Sequence, residues 1–181
     1  MNTFVKVLTS LILSCCAMSS LTAETLGNIE YQLPQQGAGW KILPPPPNLK
    51  TDQPQLNFIS IWVPENSLPK ETKEAFVAHK MSASTNLKDQ ASLKDGIERG
   101  MRLKFPDPKA TVTVLEETPD SVLYEFSVTS GGEEKEHGWI RIFSTPESTT
   151  MLTYQTELVD QISEKRDLWL PTLKDAKVIN P

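Results

Sequence analysis

The chain has only two cysteines in 181 residues, and both, Cys15 and Cys16, stand close to its start. Everything beyond them lacks a thiol nucleophile, a redox pair or a thiolate metal site. Basic charge is also short: 18 Lys and Arg stand against 23 Asp and Glu, and no basic stripe forms. That balance argues against nucleic acid and against anionic headgroups as main partners, and an acidic surface of this size mostly means solubility. No Gly-x-Ser-x-Gly elbow and no glycine-rich phosphate loop occurs. No apolar run is long and unbroken enough to anchor the chain stably in a bilayer.

The first 23 residues have the anatomy of an export signal. Residues 1–6 carry one charge, Lys6; residues 7–16 are mostly apolar; residues 17–23 turn small and polar and end in Leu21-Thr22-Ala23. Cleavage there leaves a single domain over 24–181, a length that holds a core by burial alone. Loss of Lys6 takes the formal charge from −5 to −6. The expected location is periplasmic or secreted. An alternative is a lipoprotein cut after Ser14 and lipidated at Cys15, although Lys6 leaves a short apolar stretch for that signal.

Patterning within 24–181 predicts an α+β domain in the order βββααββββα. Residues 29–33 alternate as a half-buried strand, Trp40 to Leu43 is extended, and Leu56 to Val63 reads as a central strand. Between them Pro44 to Pro47 form a stiff polyproline segment that reads as a connector before it reads as a ligand. A helix is expected over 67–81, with Ser67 as N-cap, Pro69 in the first turn, and Phe76 and Lys80 on one face. A second follows over 92–104, with Leu93, Ile97 and Met101 on one side and Gly96 and Gly100 on the adjoining face for close packing. From Ala110 the period becomes two. Four strands follow, with turns at Gly131-Gly132 and at 146–148, and their short connections make an antiparallel meander. The Gly-Gly hairpin reads as having a longer tip that includes 133–137. A last helix starts near Asp160 and carries Ile162, Trp169 and Leu173, with Pro171 expected to kink it or to start a new turn.

The strand ending Tyr31-Gln32-Leu33-Pro34, the glycine-bearing turn before Trp40, and the closing Trp169-Leu170-Pro171-Thr172-Leu173 with Lys177-Val178-Ile179 resemble PsbP-like proteins. The resemblance spans most of 28–180. It implies an antiparallel sheet flanked by helices, an α/β/α sandwich, in a fold that serves binding and assembly more often than catalysis. It transfers no site residue and no cofactor.

Candidate chemistry is sparse. His79 has Ala75 and Ala83 four residues away on either side, so no side chain there can orient it as a base, and it reads as a boundary residue. His137 ends the run Glu133-Glu134-Lys135-Glu136, which could supply ligands to a divalent ion. Strict alternation, however, puts Glu133 with His137 and sends Glu134 and Glu136 to the other face, so a solvated charged hairpin is the simpler reading. Trp62 and Trp139 lie inside strands and read as core; Trp40 and Trp169 could line an interaction groove, although core packing is the simpler reading for each of them too. Three readings stand at this level. The first is a non-catalytic binding or assembly factor with a protein partner. The second is a carrier of a small apolar ligand, and the third a metal-dependent enzyme built on His137.

Overall fold

The computed structural model describes residues 24–26, 28–34, 39–43, 56–68, 71–81, 89–146 and 148–179. The export signal with Cys15 and the prolines at 44–47 lie outside the described residues. Ten strands and two helices are described: β1 Glu24–Leu26, β2 Ile29–Tyr31, β3 Trp40–Leu43, β4 Leu56–Pro64, β5 Glu74–Met81, α1 Gln90–Met101, β6 Lys109–Glu117, β7 Ser121–Ser130, β8 Glu133–Ser144, β9 Thr149–Thr156, α2 Ile162–Asp175 and β10 Lys177–Val178. A 3-10 turn, Val159–Gln161, leads into α2.

Seven strands form one antiparallel sheet in the order β3-β4-β5-β9-β8-β7-β6. The remaining three form a small sheet, β1-β2-β10, in which the last strand returns to pair with β2 near the start of the domain. The large sheet is apolar on both sides because alternate positions of its central strands are apolar in both phases. One face presents Phe76, Ala78, Leu123, Trp139, Leu152 and Tyr154 to α2 and the small sheet. The other presents Val122, Tyr124, Phe126, Val128, Ile140 and Ile142, and α1 covers it with Leu93, Ile97 and Met101. This is an α/β/α sandwich of α+β class. Among the described residues no helix is long and apolar enough to cross a membrane.

The segment over 67–81 departs from the helix expected of it. Residues 74–81 are β5, held between β4 and β9, and the second expected helix is α1, the first in the chain. Glu, Ala, Lys and Met are good helix formers, but propensity differences of about 0.7 kcal/mol per residue yield to a slot with a ladder on either side. Phe76 and Ala78 point to the α2 face and are fully buried. The Gly131-Gly132 turn is also tighter than expected. Ser130 pairs with Glu133, so the two glycines, at φ 63° and 84°, make the whole tip of a two-residue hairpin. Residues 133–137 therefore belong to β8.

Gly96 and Gly100 play no packing role among the described residues. A Cβ added at either would meet nothing within 4 Å. Helix α2 runs through Pro171 and ends at Asp175. Its start is set by the 3-10 turn, with Gln161 at the cap position, so Asp160 lies one residue before the N-cap, inside that turn.

Candidate functional site

Register across the large sheet builds one continuous row. Ile42 on β3 stands opposite Trp62, Trp62 opposite Phe76, Phe76 opposite Tyr154, and Tyr154 opposite Trp139. Trp139 stands opposite Glu125, and Glu125 opposite Thr113 on β6. Directly opposed residues share a face, so all seven side chains project toward α2. Trp169 descends from α2 onto the middle of the row. Its ring stacks on Tyr154 at 4.5 Å and on Phe76 at 5.3 Å, and Trp40 meets it edge-on at 4.8 Å.

Polar groups close the row. Tyr154 Oη donates to Glu74 Oε2 at 2.6 Å, and Lys165 on α2 reaches the same oxygen at 2.9 Å. Burial, with the Glu74 hydrogen bond and charge added, pushes the Tyr154 hydroxyl far above the usual phenol range, so it stays a neutral donor. At the other side Trp139 Nε1 donates to Glu125 Oε1 at 2.9 Å, and Arg166 lies 3.9 Å from that oxygen. The rings and these ties seat α2 on the sheet.

His137 is the next residue outward. Its Nδ1 lies 2.7 Å from Glu134 Oε1 and its Nε2 3.2 Å from Glu125 Oε1. Glu134 reaches it because Lys135 is a β-bulge: Thr129 pairs with Glu134 and Val128 with Glu136, leaving Lys135 over. One extra residue reverses the alternation and brings Glu134 to the His137 face, against the sequence expectation. With a carboxylate on either side of the ring, no nitrogen is open to a substrate proton or a metal ion. No group of three His, Cys, Asp or Glu able to hold a metal occurs among the described residues. His137 ties β7 to β8.

Glu136, which follows the bulge, keeps the alternation with His137 and points inward on the α1 face. Its side chain is 1 % exposed and lies 3.3 Å from Lys104 Nζ, which also binds Glu157 at 2.9 Å. The second Glu136 oxygen has no partner among the described residues, and the group lines a cavity of about 50 Å³ with Thr72, Gln155 and Glu157. Burial raises the Glu136 carboxyl above the usual range despite Lys104. A raised folded value means the folded state holds more protons than the unfolded one between the two values. Stability from this group is then full below the ordinary carboxylate range and is lost as pH rises through the folded value. Glu136→Gln is expected to remove that decline and to leave the protein at least as stable near neutrality, since Lys104 keeps Glu157. Urea midpoints from acid to neutral pH check this, and an unchanged slope in the variant would refute it.

The two tryptophans for which a groove is the alternative to the core separate. Trp169 is 1 % exposed and is closed off within the chain, whereas Trp40 is half-buried at the sheet edge. Beside it Ile42, which the sequence reading passed over, is 52 % exposed at the end of the aromatic row. Glu125 was missed as well. Its only sequence signal is an acid between the apolar positions Tyr124 and Phe126. Among the described residues the rings of Phe76, Trp139, Tyr154 and Trp169 pack against one another between sheet and α2. His79, placed on β5 and half-buried, has its Nε2 buried without a partner among the described residues, and burial lowers its basicity.

This architecture is the PsbP-like fold, and the resemblance carried by the terminal segments holds at the level of fold. Among solved structures the chain is similar to cyanobacterial PsbP (CyanoP) from Synechocystis sp. PCC 6803, in solution, with a TM-score of 0.58 at 12% identity over 92% of this chain and 98% of that one. It is also similar to LpqN, described as involved in cell envelope biogenesis of Mycobacterium tuberculosis, with a TM-score of 0.48 at 11% identity over 88% and 90%. No family model matches the chain, and no curated protein matches it in sequence.

Proposed function

We propose that this chain is an exported, non-catalytic binding or assembly factor of the cell envelope or the secreted fraction, and that a partner protein with an apolar strand or surface docks at β3. The observation that carries the reading is the apolar end of the aromatic row. Ile42 is half exposed on an edge strand, with half-buried Trp40 and Trp62 beside it. An aromatic and aliphatic patch backed by rigid, closely stacked rings is the kind of surface that supplies interface anchors at low ordering cost. Export rests on the anatomy of residues 1–23, with lipidation at Cys15 as the alternative form of the same address.

The test is affinity capture from the native host with the wild type and with Ile42→Glu. The expected outcome is a specific partner held by the wild type and reduced about tenfold or more by a charge at the anchor. Equal capture by both proteins, or no specific capture by either, would reject docking at β3.

A further inference from the structure

The opposite end of the same row is the other edge of the sheet, and its chemistry differs. Among the described residues strand β6 pairs with β7 alone, on one side. Ala110 N–H donates to Glu98 Oε1 on α1 at 2.9 Å, so it points away from β7. In an antiparallel ladder alternate residues point the same way, which turns the peptide groups of Val112 and Val114 outward as well. No described residue bonds them. Edge strands are usually protected by charge, yet Lys109 and Glu116 bracket six uncharged residues, Ala-Thr-Val-Thr-Val-Leu. Within that stretch Thr111 and Thr113 are exposed, and Val114 is 37 % exposed. Beside it, between β6 and the start of α1, lies an open groove of about 530 Å³ lined by Asp89, Lys94, Ala110 and Val112 among others.

We infer that β6 pairs with β6 of a second copy of this chain, antiparallel, about a two-fold axis through Thr113. The occupant follows from self-complementarity. That register places Val112 of one copy opposite Val114 of the other, and their outward N–H and C=O groups form the new ladder. On the α1 face the four valines meet beside the two grooves, covering Val114. On the α2 face Thr113 meets Thr113, a pair that sheets accommodate well. At the ends Lys109 faces the Glu116-Glu117 end of the partner copy, so unlike charges meet at both rims. Among the described residues Lys109 Nζ otherwise pairs with exposed Asp107 at 3.1 Å. A two-fold axis makes the contact closed and isologous, which stops at a dimer and does not propagate. The interface is independent of β3, so it can hold whether or not the proposed partner docks there.

The register is tested by Thr113→Cys in the protein recovered after export. Thr113 side chains form a pair not joined by hydrogen bonds, with Cβ atoms about 4.5–5.5 Å apart, close enough for a disulfide. Oxidation should give a dimer whose 113–113 linkage is found by peptide mass spectrometry, and Thr111→Cys should not link to itself. Sedimentation of the wild type should show a reversible dimer, weakened about tenfold or more by Val114→Lys with an unchanged circular dichroism spectrum. A wild type that is monomeric at hundreds of micromolar would overturn the inference. So would a dimer untouched by Val114→Lys, or equal self-linking at 111 and 113.

Discussion

Replacing Trp169 by alanine is expected to cost about 3–5 kcal/mol, the range for deleting a fully buried aromatic side chain. Small domains have about 5–15 kcal/mol in total, so the variant should be close to the edge of folding. The reason is positional as well as volumetric. Trp169 is the contact through which α2 reaches the aromatic row, stacking on Tyr154 and Phe76 and meeting the edge of Trp40. With the indole removed, Lys165 and Arg166 still face Glu74 and Glu125, but nothing fills the space between helix and sheet. Trp169→Phe should recover much of the loss because it keeps a ring over Tyr154. Chemical denaturation of the three proteins would show this ranking. An alanine variant within about 1 kcal/mol of the wild type would mean that the row does not seat α2.

The second large effect is expected at Gly138, on the other side of the sheet. Its pairing partner Phe126 lays its ring across the glycine, so that a Cβ there would lie 2.6 and 2.7 Å from two ring carbons and would also strike the Tyr154 carbonyl oxygen. Backbone cannot move aside as a flexible side chain can. Gly138→Ala should cost about 1–3 kcal/mol through overpacking, and Gly138→Val more. Phe126→Leu should relieve part of the alanine penalty, and a double-mutant cycle measures that coupling. Additive effects would show that the ring is not the obstacle.

Much of this arrangement was legible from residue patterns. Val122, Tyr124, Phe126 and Val128 alternate so regularly that β7 and its α1-facing side follow from period two alone. Leu93, Ile97 and Met101 mark the buried stripe of α1, although the helix begins slightly earlier than its pattern suggests, because Asp89 accepts from Ser92 N–H as its cap. What was not legible depended on partners distant in the chain. Residues 74–81 have a composition that suits a helix, and only the presence of β4 and β9 on either side makes them a strand. The His137 environment was misjudged for a different reason. A single bulge at Lys135 exchanges the faces of the residues before it, and no local signal marks that residue as the extra one. The aromatic row itself needs the register of seven strands, so its open end at Ile42 could not be seen from sequence.

The most direct test of partner binding at β3 is to place a photo-reactive amino acid at position 42 and irradiate the protein in its own host. The account predicts one dominant adduct from position 42, identifiable by mass spectrometry, that is absent when the probe sits at exposed Lys174 on α2. No adduct at 42, or the same adducts from both positions, would contradict it.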